Sequence, residues 1–154
     1  RYDLSTLLIH RNGRVVYTRE HPLAGNQLVE EIMRRYEMTP EQASFFMRGE
    51  PGPENFEEEV LEPFMLNVLH QISRALQFYS SSAEFSNIRT IYLSGTMASL
   101  KGLGDVVEQE LGIKTGVADP ITGMDLAPSV AVAALNRNAP NLMVAMGLAL
   151  RGFD

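Results

Sequence analysis

The chain has 154 residues, 45% of them hydrophobic and 21% charged, with a net charge of −6. That length fits one compact domain or two very small lobes, and the mix excludes collagen, coiled coil and wholesale disorder. The acidic balance argues against a nucleic-acid binder, and zero cysteines exclude disulfides, thiolate metal sites and a cysteine nucleophile.

Along the chain, Asp3 to His10 and Arg14 to Glu20 flank Arg11-Asn12-Gly13. Asn-Gly between two β-rich runs predicts a hairpin, because both residues tolerate the positive φ of a tight type I′ turn. Leu28, Ile32 and Tyr36, widened by Val29 and Met33, predict a helix. Thr39-Pro40-Glu41-Gln42 starts a second one: Thr39 caps, Pro40 suits the first turn and Gln42 completes a capping box. It should stop near Arg48, since Gly49-Glu50-Pro51-Gly52-Pro53 cannot continue it. The longest helix carries Leu61, Met65, Val68, Leu69, Ile72, Leu76 and Tyr79 on one face, with Pro63 either in its first turn or kinking it there and Ser80-Ser81-Ser82 at its end. Glu57-Glu58-Glu59 reads as its solvated start, where acids complement the positive end of the helix dipole.

Ile88 to Leu93 predicts a buried strand broken by Ser94-Gly95. Leu100, Leu103, Val107 and Leu111 mark a helix closed by Gly112, and Ile113 to Ala118 a further strand. Residues 120–138 read as irregular, with Pro128 and a small-residue Val-Ala run. Pro140 opens a last helix, ended by Gly152, that is apolar on nearly every side and should be deeply packed, Met143 and Met146 included. Its apolar stretch, Leu142 to Leu150, is far short of the about 20 residues that span a bilayer, so membrane insertion is not expected. Strands alternating with helices after an antiparallel hairpin predict an α/β fold, a mixed sheet flanked by helices.

Most chemical motifs are missing. His10, His21 and His70 lack metal-ligand spacing, no nucleophile elbow or Walker A loop occurs, and Gly102-Leu-Gly104 lacks the third glycine of a dinucleotide loop. No catalytic residue and no metal ligand is assigned. One segment stands out: Ile91 to Leu100 runs strand, small-residue turn, helix through Ser94-Gly95-Thr96-Met97. Gly95 lets a nucleoside approach the backbone, and a helix start offers free N–H groups. A plain strand-to-helix connection also needs a glycine. Ser5 and Thr6 in the hairpin have two readings as well: hydroxyls offered to a phosphate, or β-propensity alone.

Read together, these segments resemble a known family. Arg14-Val-Val-Tyr17-Thr-Arg-Glu20, Gly25, Gln27-Leu28, Glu31-Ile32 and Glu59-Val60-Leu61-Glu62-Pro63-Phe64 are similar to the PilM family, actin-like proteins of type IV pilus assembly. The match continues through Ile72-Ser73-Arg74-Ala75-Leu76-Gln77-Phe78, Tyr92-Leu93-Ser94-Gly95, Leu100-Lys101-Gly102-Leu103 and Ala149-Leu150-Arg151-Gly152-Phe153-Asp154. It covers essentially the whole chain. It implies the second of two actin-like (RNase H-like) lobes, with residues 1–24 and 88–154 as its core and 25–87 as an inserted, mainly helical subdomain. The first lobe and the strand carrying the family's Asp-Ile-Gly phosphate loop would precede Arg1. Arg in place of Met at position 1 agrees with a fragment.

By the same resemblance, Ser94-Gly95-Thr96-Met97 stands at the family's adenosine motif, Gly25 at the glycine pair beside the nucleotide, and Gln71 and Arg74 on the helix flanking adenine. Thr96 replaces the motif's second glycine and Asn26 that of the pair, and each added side chain narrows the room for a nucleotide. The cofactor implied is ATP or ADP with Mg, at full length only, with at most weak ATPase activity and none in this fragment. The implied role is a nucleotide-binding scaffold in the cytoplasm, peripheral to the inner membrane of a Gram-negative bacterium. It would recruit the N-terminal cytoplasmic peptide of PilN and contact other pilus assembly and motor proteins. The alternatives are an ATPase whose turnover drives assembly, and a divisome-type polymerising homologue.

Overall fold

The computed structural model describes residues 4–21, 25–47, 51–82 and 87–151. It opens on the expected hairpin, β1 (Ser5–Arg11) and β2 (Arg14–His21). Asn12 and Gly13 take φ of +51° and +75°, the geometry whose twist matches the flanking strands. Ser5 pairs with His21 and Arg11 with Arg14, and the register slips once, between Ile9 and His10.

Helix α1 (Gly25–Tyr36) buries Leu28 and Ile32 completely. Glu37 ends it at φ +53°, and the Met38 N–H returns to the Met33 carbonyl at 3.2 Å, so a non-glycine residue occupies the left-handed stop. The capping box of α2 (Pro40–Met47) forms as expected. The Gln42 N–H donates to Thr39 Oγ1 at 3.3 Å, and the Thr39 N–H to Gln42 Oε1 at 2.9 Å. The expected stop at Arg48-Gly49 lies outside the described residues.

The acidic run Glu57-Glu58-Glu59 is exposed at a helix start, but that start is a π-helical turn (Glu57–Leu61) running straight into α3 (Glu62–Ser82). Glu59 pairs there with Arg35 of α1. Pro63 occupies the first turn of α3, and the three serines end it, as the sequence predicts.

β3 (Thr90–Leu93) and β4 (Lys114–Val117) pair in parallel, with Thr90 opposite Lys114. Between them lies α4 (Leu103–Leu111), closed by Gly112 at φ +64°. Both antiparallel and parallel pairings are present, as two separate two-stranded ladders and not one continuous sheet among the described residues.

Four expectations need correction. The strand expected to be buried is not: no residue of β3 is fully buried and Tyr92 is 71% exposed. The turn after β3 does not enter an α-helix: a 3₁₀ turn (Thr96–Ser99) comes first, and α4 starts only after Gly102, whose φ of +84° redirects the chain. The stretch read as irregular contains α5 (Val132–Asn138), where alanines carry helix propensity without an apolar period to reveal it. A second 3₁₀ turn (Ala139–Leu142) leads into α6 (Met143–Leu150), which is not deeply packed. Val144 is 74% exposed and Leu148 60%, and no residue of α6 is buried. Met143 is exposed and Met146 half-buried. Hydrophobicity made the helix want a partner, and no described element covers it.

The core collects Leu28 and Ile32 of α1, Ala43 of α2, Phe56, Val60, Val68 and Leu69 around α3, and Leu100, Leu103 and Val107 at α4. Phe56 stacks obliquely between Tyr36 and Phe46, centroids 6.1 and 5.8 Å away. The hairpin joins through Tyr17, whose ring lies 5.4 Å from that of Tyr79 on α3.

Candidate functional site

Two places gather the residues singled out by sequence. The first is the turn after β3. Gly95 sits at φ +84° and ψ −173°, a region essentially reserved for glycine. A Cβ built there meets nothing within 4 Å, so backbone conformation demands the glycine while the space beside it stays open. The Gly95 N–H donates to the Pro140 carbonyl at 2.7 Å, and the Thr96 hydroxyl to Asn141 Oδ1 at 3.3 Å. The turn is therefore tied to the segment leading into α6. The element that follows is a four-residue 3₁₀ turn and not the start of an α-helix. Ser94 and Thr96 are exposed and Met97 packs against the core. Open space beside Gly95 fits a nucleoside edge, whereas the engaged Gly95 N–H does not fit a phosphate.

The second place is a cavity of about 270 Å³ between β2 and α3, lined by Arg19, His21, Gln71, Arg74 and Phe78. It follows from two periods. Strand alternation sends Tyr17, Arg19 and His21 to one face of β2, and Gln71, Arg74 and Phe78 recur at i, i+3 and i+7 along α3. The Arg19 guanidinium lies 4.7 Å from the Phe78 ring centroid, a cation–π contact that holds it in place. His21 Nε2 is buried with no hydrogen-bond partner. Burial of the ring, then the charges of Arg19 and Arg74, hold His21 below the ordinary histidine value. Among the described residues no carboxylate lines the cavity, so its charged groups are two arginines and its one candidate base is the His21 imidazole. Among the described residues no group of His, Asp and Glu side chains stands ready to hold a metal ion.

The structure thus joins Gln71 and Arg74 but leaves the Ser94–Met97 turn out of their cavity. Ser5 and Thr6 part company: Ser5 lies across from His21 and shares its face, while Thr6, across from Glu20, is exposed on the other. Gly25 opens α1. Arg19, His21 and Phe78 were missed from sequence, although the Arg-x-His alternation in a strand and the 71-74-78 spacing were signals for them.

Comparison with known proteins decides the family. The profile of the type IV pilus assembly protein PilM matches residues 2–153. The chain belongs to the PilM family. A solved chain of a PilM–PilN type IV pilus biogenesis complex superposes with a TM-score of 0.82 at 22% identity, covering 99% of this chain and 44% of that one. The ethanolamine utilization protein EutJ from Carboxydothermus hydrogenoformans superposes at 0.59 and 16% identity, covering 96% of this chain and 45% of EutJ. These likenesses show the actin-like α/β fold. The PilM-family chain spans under half the length of either solved chain. Among its described residues no helix is long and apolar enough to cross a membrane.

Proposed function

We propose that the full-length protein is a nucleotide-binding scaffold of the type IV pilus assembly platform that recruits the N-terminal cytoplasmic peptide of PilN. The observation that carries this reading is the family match across residues 2–153. The likeness to a chain solved in a PilM–PilN complex supports the choice of partner. In this reading residues 1–24 and 88–154 form the core of one lobe, 25–87 an inserted helical subdomain, and a further lobe completes the cleft. ATP or ADP with Mg would close the two lobes, with the open space beside Gly95 facing the nucleoside. The protein would work in the cytoplasm at the inner membrane, beside other assembly and motor proteins.

The rival reading is an ATPase whose turnover drives assembly. The test is a titration of the labelled PilN peptide into the full-length protein, with ATP and with a non-hydrolysable analogue. Equal affinities are expected. Binding that needs hydrolysis would replace the scaffold with an ATPase that drives assembly.

A further inference from the structure

The cavity between β2 and α3 has a chemistry that a base-flanking role leaves unexplained. The chain carries net charge −6, yet among the described residues the charged groups lining this cavity are two arginines and no acid. Among the described residues neither Arg19 nor Arg74 makes an ion pair, although Arg34 and Arg35 of α1 each find a glutamate. Glu20, the acid closest in sequence, pairs across from Thr6 and so lies on the opposite face of the ribbon. Two guanidiniums and an imidazole therefore converge from two elements, and no described residue supplies a counter-charge.

We infer that this cavity binds the phosphate group of a small molecule, with Arg19, Arg74 and His21 Nε2 as its donors. Guanidinium forks match phosphate oxygens in pairs and remain charged at any physiological pH. Three donor groups suit the three free oxygens of a phosphate monoester better than the two of a carboxylate. Arg19 is already held against Phe78, so less side-chain freedom is lost when the anion arrives. His21 Nε2, buried without a partner, would gain the hydrogen bond whose absence costs stability. The volume of about 270 Å³ exceeds a bare phosphate and leaves room beside Gln71 and Phe78 for a small organic part.

The inference stands apart from nucleotide closure of the two lobes, because it rests on this cavity and not on the Gly95 turn. The experiment uses full-length protein with the His21 imidazole followed by NMR. Inorganic phosphate, AMP, adenosine and succinate are titrated separately at matched ionic strength. Phosphate and AMP should both shift the His21 signals in a saturable way, and adenosine and succinate should not. Arg19→Gln and Arg74→Gln should each weaken phosphate binding about tenfold or more, with the fold checked by circular dichroism. Should either variant fail to fold, the wild-type titration still decides. A His21 response to adenosine equal to that for AMP would show that the cavity reads a base. An equal response to succinate, or none to phosphate, would likewise overturn the inference. Saturable phosphate binding with no ATP retention would keep it and remove the nucleotide-scaffold reading instead.

Discussion

Helices α4 and α6 make an instructive pair. Both are short, and both carry leucines that hydropathy alone would bury. Leu103 of α4 is 1% exposed within the core cluster, whereas Leu148 of α6 is 60% exposed. The α4 face is periodic, with Leu103 and Val107 inward and Asp105, Glu108 and Gln109 outward, so one side meets the core and the other meets water. α6 is built only of Met, Val, Ala, Gly and Leu and has no polar side to orient it. An apolar sequence states a demand for burial. Whether the same chain supplies the cover is a separate, tertiary question.

The sharpest way to break this comparison is truncation at the two leucines. Leu103→Ala should destabilise by about 3 kcal/mol, from lost transfer energy plus a cavity, measured by urea unfolding. A loss under about 1 kcal/mol would show that the α4 core is loosely packed. Thr39→Ala tests a different contribution, the cap that holds α2 over Phe56, and should cost about 1 kcal/mol. Thr39→Asn should restore most of it, because asparagine also caps. Leu148→Ala should change stability by no more than about 0.5 kcal/mol in the 154-residue chain. A larger loss there would mean that α6 is covered after all.

Two acid-side effects are smaller still. His21 has its value lowered in the fold, so the unfolded chain takes up the proton first as pH falls. Its contribution is intact above the ordinary histidine value of 6.5 and declines below it. His21→Gln should therefore flatten the fall in stability just below that pH. Asp119 is lowered by the Ile121 N–H at 2.9 Å, then the Thr122 hydroxyl at 2.8 Å. Its support is present above the ordinary value of 3.8 and is lost as pH drops through its lower folded value. Asp119→Asn should remove that last acid-dependent step. Melting temperatures across pH 3 to 8 would check both.

Where local chemistry fixes the backbone, sequence was enough. Asn12-Gly13 dictated the hairpin turn, Thr39 and Gln42 the capping box, and Gly112 the end of α4, because each depends on residues within one turn of the chain. The family pattern was also legible, since it rests on many short segments in order. The candidate site was legible only by halves. Gln71 and Arg74 came with the family resemblance, but their meeting with Arg19 and His21 depends on how β2 lies against α3. The Gly95 turn needed its glycine, as the residues implied, yet the capture of its N–H by Pro140 joins positions 45 residues apart. No local pattern encodes that contact. The exposure of α6 was decided the same way: hydrophobic attraction has no direction, so only the packed fold determines which apolar faces find a partner within this chain.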